Sequence, residues 1–254
     1  MKLNEFILKM QEIAPREQAL SFDNVGLLIG PDHDEIKTVL VALDLTLQTA
    51  EEAIQMGADL VLTHHPRMFA PVQQILPDHP ETAAIYRLIR HGIGHYAAHT
   101  NLDAAQGGVN DVLCKMLGLI NVKTDPGEGI LRVGTLPEPL TLGELFHRCV
   151  DLFGENVRLT GDSEQLISNL AVCGGAGNGE LMLAREMGAN AFLTGEVKHS
   201  EALNALDLGL GLITAGHYET EVPVLKSLIR RLQEPENDVQ YNLTHSEKSP
   251  FRRC

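Results

Sequence analysis

The sequence predicts an α/β protein built from two similar, duplicated α/β domains with mixed, mostly parallel sheets. Three observations predict it. Continuous apolar runs alternate with amphipathic ones, the strand–helix–strand pattern of parallel pairs joined by right-handed crossovers. Val39–His65 matches Leu170–Glu196, so that Met56-Gly57-Ala58-Asp59 falls on Met187-Gly188-Ala189-Asn190 and Leu62-Thr63 on Leu193-Thr194. Further on, His99-Thr100-Asn101-Leu102-Asp103 falls on His217-Tyr218-Glu219-Thr220-Glu221, and each copy closes on His-x-x-x-acid. A duplicated scaffold that delivers imidazoles and carboxylates from matching strand ends is suited to a metal site in the cleft between its halves. The expected division is a first domain over 1–126 and a second over 127–254, with the C-terminal helix packing back on the first.

The elements follow in order. Residues 3–13 form an amphipathic helix with Leu3, Phe6, Ile7, Met10 and Ile13 on one side, stopped by Pro15. Ser21-Phe22-Asp23-Asn24-Val25-Gly26 is a loop into a short strand, Leu27–Ile29. Thr38–Leu43 is a strand buried on both faces, because its apolar run is unbroken. Leu47–Met56 is a helix with Gly57 as its C-cap, and Leu60–Leu62 is the next strand, ending at His64. Helix Glu81–His91, strand Ile93–Ala98 and helix Val109–Leu117 follow, the last closed by Gly118. Asp125-Pro126-Gly127-Glu128-Gly129 has the composition of a linker. Thr141-Leu142-Gly143-Glu144 is a capping box for a helix to Phe153. The second copy begins near Leu170, with a glycine-rich turn over 174–179, a helix, a strand over Ala191–Thr194, and then Gly195-Glu196. A final helix carries Pro223 in its first turn, and Val239–Leu243 reads as an edge strand.

Composition narrows the function. The apolar fraction of 44% supports a folded core, an aliphatic one, since Trp is absent and Tyr and Phe number 4 and 7. A formal charge of −14 repels polyphosphate backbones, which argues against nucleic-acid binding but not against a small anionic ligand in a locally positive pocket. Cys114, Cys149, Cys173 and Cys254 form no close pair, which argues against a disulfide framework or thiolate zinc and fits a reducing cytoplasm. The N-terminal stretch lacks the apolar core of a signal peptide, and no apolar run approaches the ~20 residues of a membrane span.

The chemistry gathers at strand ends, where open α/β sheets place their ligands. His64-His65 follow one strand, and a turn there aims both imidazoles into one pocket or leaves them capping backbone groups. If a helix begins at His217, the four-residue spacing puts His217 and Glu221 on one face; otherwise Glu221 lies in its first turn. Asp103 taken singly reads as a turn residue. Three imidazoles and two carboxylates together read as a metal cluster. Without thiolate they suit Zn, Mn, Fe or Ni. Five ligands exceed the three typical of one open catalytic zinc and fit two ions. Gly174-Gly175-Ala176-Gly177-Asn178-Gly179 lacks the Lys-Ser/Thr of a P-loop, so its glycines point to close backbone approach to substrate or a neighbouring segment. Lys198 and His199 either bind substrate or relay protons, or are the solvated start of a helix.

These residues now carry a resemblance. Asp23-Asn24-x-Gly26-Leu27, Val61-Leu62-Thr63-His64-His65-Pro66, Gly108-Val109-Asn110-Asp111, Cys173-Gly174-Gly175-Ala176-Gly177, Leu193-Thr194-Gly195-Glu196 and Gly216-His217-Tyr218-Glu219-Thr220-Glu221 stand in an order that resembles the GTP cyclohydrolase I type 2 homologue family, the Nif-three-like proteins. The resemblance implies two similar α/β domains, a homohexameric ring assembled as a trimer of dimers, and a dinuclear centre of two divalent ions in the cleft between domains. It carries His64, His65, Asp103, His217 and Glu221 over as metal ligands and places His99 and Glu196 near the site, where they would handle protons. Some members carry a large extra middle domain, for which there is no room between Pro126 and Leu170. Leu131 stands where many members have a glycine, while Arg132 is retained. Arg132, Lys198 and His199 would hold an anionic group of the substrate. The function implied is a metal-dependent hydrolase of GTP cyclohydrolase type, or one acting on nucleotides or purine-like rings. The alternative is a non-catalytic metal-binding scaffold or metal-delivery protein acting through partner proteins.

Overall fold

The computed structural model describes residues 1–235 and 237–251, so Cys254 lies outside the described residues. The chain divides into two compact units, Met1–Gln106 with Leu225–Lys248, and Gly107–Val224 with the segment from Ser249 onward.

The first unit opens with α1 (Leu3–Ile13), β1 (Gly26–Ile29), β2 (Thr38–Ala42), α2 (Leu47–Met56), β3 (Leu60–Thr63), α3 (Ala83–Arg90), β4 (Gly94–Ala97) and α4 (Thr100–Ala104). The second unit runs through α5 (Val109–Met116), β5 (Ile120–Thr124), β6 (Arg132–Thr141), α6 (Leu142–Phe153), β7 (Arg158–Thr160) and β8 (Leu166–Ala176). It continues with α7 (Leu181–Glu186), β9 (Ala191–Glu196), α8 (His199–Asp207), β10 (Gly211–Thr214) and α9 (His217–Glu221). From Leu225, within α10 (Pro223–Gln233), the chain rejoins the first unit and ends in β11 (Gln240–Leu243).

The first sheet has the order β1-β4-β3-β2-β11, parallel except at β1, which pairs antiparallel with β4. The second has the order β5-β6-β8-β9-β10-β7, in which only β8, β9 and β10 are mutually parallel. The expectation of mostly parallel sheets therefore fits the first sheet and not the second. The reason lies in β5, β6 and β7, which pair antiparallel and were not legible. β5, Ile120-Asn121-Val122-Lys123-Thr124, is exposed along its whole length and carries only a brief alternation with no unbroken apolar run. Within each unit the same succession recurs: β2-α2-β3-α3-β4-α4 in the first and β8-α7-β9-α8-β10-α9 in the second.

Local sequence explains the framework. Gly57 closes α2 at φ 66°, a conformation an L side chain resists. Thr141 and Glu144 form the expected capping box at the head of α6. Leu40 and Val61 on adjacent strands pack with Ala50, Ala53, Ile85 and Leu88 of the covering helices, and burial of each large aliphatic side chain stabilises by about 1.5–3 kcal/mol. Phe192 has the corresponding central place in the second unit, against Ala184, Ala205 and Leu212.

Two boundaries differ from expectation. Asp125-Pro126-Gly127-Glu128-Gly129 is a closed turn, not a linker. The Asp125 carboxylate is buried and accepts the N–H groups of Gly127, Gly129 and Leu131 at 2.9, 3.1 and 2.9 Å. The division between units falls at Gln106–Gly107 and not at 126, while Leu225–Lys248 groups with the first unit, as expected of the C-terminal helix. Cys114, Cys149 and Cys173 are buried and unbridged, and burial pushes the Cys114 and Cys149 thiols up to about 12. Among the described residues no helix is long and apolar enough to cross a membrane.

Glu52 anchors the C-terminal segment by accepting from the Thr244 hydroxyl and from the N–H groups of His245 (2.9 Å) and Ser246 (3.1 Å). Burial pushes its carboxyl up, but these hydrogen bonds outweigh burial and hold it below the ordinary 4.5. A depressed carboxylate contributes stability that is present above the unfolded pKa and is lost as pH falls through the folded one. Glu52→Gln should therefore flatten the acid-side fall of the melting temperature below about pH 5. An acid limb identical to that of the wild type would show that the anchor contributes nothing.

Candidate metal centre

The C-terminal ends of β3 and β4 bring four candidate residues of the first unit together. Thr63, the last residue of β3, turns the chain: its hydroxyl donates to the His65 carbonyl at 2.7 Å and lies 2.8 Å from His95 Nε2. The hydroxyl proton is already committed, so His95 donates to it. Burial lowers the His95 pKa to about 3 and keeps that imidazole neutral. The turn sends His64 and His65 to the same side, where His99 joins them from the N-cap of α4. Ring centroids lie 4.9 Å apart for His64–His65, 5.2 Å for His64–His99 and 5.4 Å for His65–His99. One ligand atom from each lies within 4.8 Å of the others.

Every one of these rings is oriented through Nδ1. His64 Nδ1 lies 2.8 Å from the Ala98 carbonyl, which can only accept, so this nitrogen carries a proton. His65 Nδ1 is 2.9 Å from Asp44 Oδ1. His99 Nδ1 is 3.0 Å from both oxygens of Asp23. Asp103 Oδ1 stands 3.6 Å from His64 Nε2. Burial pushes the Asp23 carboxyl up, yet hydrogen bonds from His99 and Thr100 prevail and hold it at about 2, so Asp23 is a carboxylate throughout the neutral range. Glu247 supports the Asp44 side by accepting the N–H groups of Leu43 (2.8 Å) and Asp44 (2.7 Å).

The second unit repeats the device with different residues. Gly216, at φ 91°, is the N-cap of α9, which begins at His217. The four-residue spacing then sets His217 Nε2 3.2 Å from Glu221 Oε2, while Glu196 Oε1 holds Nδ1 at 3.1 Å. Glu221 is buried. The glycine segment explains why it fits. Gly175, at φ 63°, lies directly under this pair, and a Cβ there would collide with Glu221 Oε1 and come within 3.3 Å of His217 Nε2. A Cβ on Gly195 would come within 2.8 Å of His217 Cα. The first half of the expected glycine turn, 174–176, is in fact the end of β8, and its close approach is to candidate ligands.

The expected equivalence of the two His-x-x-x-acid segments shifts by one residue. Ala98 N–H donates to the Thr63 carbonyl as Ala215 N–H donates to that of Thr194. On this register His217 corresponds to Thr100, the first residue of α4, and Glu221 to Ala104. His99 is a cap residue and His217 a helical one, so the two imidazoles leave the backbone differently.

Donor chemistry fits divalent metal. The imidazoles of His64, His65, His99 and His217 are each fixed through Nδ1 by a carbonyl or carboxylate, the usual arrangement of metal-bound histidine. Within the first unit His64, His65, His99 and Asp103 form one candidate donor group, and within the second His217 and Glu221 form another. Asp44→Ala should weaken metal binding by roughly 10- to 100-fold, the usual loss for an outer partner, and Glu247→Ala should act in the same direction by less. Chelator competition would read both. An affinity indifferent to Asp44 would detach that carboxylate from the centre.

The expected substrate residues separate. Arg132 is 2% exposed, with Nε 2.6 Å from Asp111 Oδ1 and Nη1 donating to the Gly129 and Ile130 carbonyls at 2.6 and 3.2 Å. Its guanidinium holds the β5–β6 turn and is not presented to substrate. Lys198 and His199 open α8, are exposed, and line a cavity of about 710 Å³ with Arg158, Glu196, His217 and Glu219. Asp44, His95, Arg158 and Glu247 have no local pattern that announces them, and Asp23 stands in a recognised motif without a role assigned to it.

Comparison with known proteins agrees. The family model for Duf34/NIF3 (NGG1p interacting factor 3) matches residues 1–250. A Clostridium perfringens protein named GTP cyclohydrolase 1 type 2 homolog is 35% identical over 259 aligned positions, covering 99% of both chains. A Streptococcus pneumoniae protein of the same name is 34% identical over 227, covering 86% of this chain and 85% of its own. Among solved structures, a Staphylococcus aureus hypothetical protein superposes with a TM-score of 0.91 at 29% identity, covering 100% of this chain and 99% of its own. Reduced HcgD from Methanocaldococcus jannaschii gives 0.83 at 29% identity, covering 96% and 97%. The chain belongs to the Duf34/NIF3 family.

Proposed function

We propose that the protein is a metal-dependent hydrolase in which His64, His65, Asp103, His217 and Glu221 hold two divalent ions. The carrying observation is that ligand atoms of His64, His65 and His99 lie within 4.8 Å of one another, while His217 Nε2 and Glu221 Oε2 stand 3.2 Å apart. Two bound ions would supply Lewis acidity, activating water near neutral pH and polarising the group under attack. The protein's own residues do the rest. Glu196 holds the His217 ring, and its exposed carboxylate takes up a proton on the solvent side. His99 moves a proton at Nε2, and the Asp23 carboxylate stabilises its imidazolium form. Lys198, His199 and Arg158 bind an anionic group in the cavity they share. Nucleotides and purine-like rings are the substrate class, and the relatives' name, GTP cyclohydrolase 1 type 2 homolog, points the same way. The two units are copies of one ancestral α/β unit in this reading, and six chains form a cytoplasmic ring.

The test is a turnover screen of metal-loaded protein against nucleotides and cyclic amides, with Asp103→Ala as the control. Metal-dependent turnover that disappears in this folded variant supports the hydrolase. Full activity in the variant overturns it. Firmly bound metal with no turnover on any substrate favours a metal-binding or metal-delivery scaffold.

A further inference from the structure

Two exposed phenylalanines stand beside the His64–His65–His99 group in a chain that has no Trp and only 7 Phe. Phe22 is 62% exposed and Phe69 50%. Their ring centroids are 6.1 Å apart at 59°, and Phe69 meets the His99 ring edge-on at 6.1 Å and 82°. An exposed aromatic ring on a loose loop is ordinary, but these two loops are braced. Asp23, next to Phe22, accepts from His99 and Thr100. Asn24 Nδ2 donates to the Met68 carbonyl at 2.5 Å and ties the first loop to the second. Met68 packs inward on the core while Phe69 points outward. Arg67 fixes the same loop by donating to the carbonyls of Glu81 (3.0 Å) and Pro80 (2.6 Å). The tilt between the two phenyl rings leaves ring faces open, and a flat molecule against Phe69 would lie beside His99.

We propose that Phe22 and Phe69 form a pre-organised stacking platform for a planar heteroaromatic ring, placing that ring beside His99. The proposal rests on the hydrolase reading for what happens to the ring, and on the braced rings alone for binding it. Aromatic–base stacking is tolerant of base identity, so the platform selects flat rings and leaves discrimination among them to polar groups. A second copy of this chain is the competing occupant of an exposed apolar pair.

The absence of Trp supplies the experiment. Phe69→Trp and Phe22→Trp each introduce a single indole, whose emission reports directly on stacking. GMP and AMP should quench it saturably, and ribose 5-phosphate, which has no ring, should not. In equilibrium dialysis the Phe22→Ala/Phe69→Ala double variant should bind GMP roughly 5- to 100-fold more weakly, with metal content unchanged. Quenching by ribose 5-phosphate equal to that by GMP, or no quenching by either nucleotide, overturns the platform. So does an emission shift that follows protein concentration together with molecular mass, which would put a second copy on the rings. Metal content of the same samples separates the two readings. Two ions without ring binding removes only the platform, and ring binding without metal removes only the hydrolase centre.

Discussion

Asp103→Ala and Glu221→Ala should each abolish stoichiometric metal binding. Elemental mass spectrometry on protein purified without an affinity tag should find close to two ions per wild-type chain and neither ion retained in full by the variants. Losing an outer partner costs roughly 10- to 100-fold in affinity, and losing a direct ligand should cost more. Stability provides a second readout. Metal that binds only the folded state stabilises it by about 2.7 kcal/mol at a hundred times Kd. A chelator should therefore lower the melting temperature of the wild type and leave both variants unmoved. Metal content unchanged by both substitutions would reduce the two carboxylates to cap and turn residues.

Gly175→Ala should be strongly damaging. Residue 175 sits at φ 63°, and left-handed backbone costs an L residue about 1–2 kcal/mol. The new Cβ would also run into the Glu221 carboxylate, and overpacking typically adds about 1–3 kcal/mol. The combined effect corresponds to a fall in melting temperature of roughly 5–15 °C for a protein of this size. Relief by moving Glu221 would break its 3.2 Å approach to His217, so metal affinity should fall as well. Gly179→Ala is the matched control, since residue 179 has φ 91° but open space around its Cβ. It should show the backbone cost and keep metal. Equal effects at 175 and 179, with metal retained in both, would mean that Gly175 serves the chain path alone.

Much of this molecule is legible from short stretches. The limits of α1 and α2, the capping box of α6 and the His217–Glu221 pair on one helical face all follow from spacing within about one or two turns of chain. Strands β2 and β3 announce themselves through unbroken apolar runs, because both faces are buried. β5 gives no such signal, being exposed along its length, and the Asp125 turn has the composition of a linker until its carboxylate is seen closing on three backbone N–H groups.

By itself the sequence determined which imidazoles and carboxylates leave the ends of the parallel strands, and in what order. The tertiary structure alone decided what holds them. Asp44 meets His65 across 21 residues, His95 meets Thr63 across 32, Asp23 meets His99 across 76, and Glu247 reaches Leu43 across 204. It also decided that His217 matches Thr100 and not His99. The physical reason is the range of the forces concerned. Caps, turns and helical faces are set by neighbours in the chain, whereas the acceptor that fixes an imidazole's tautomer is set by the register of strands and loops far apart in sequence.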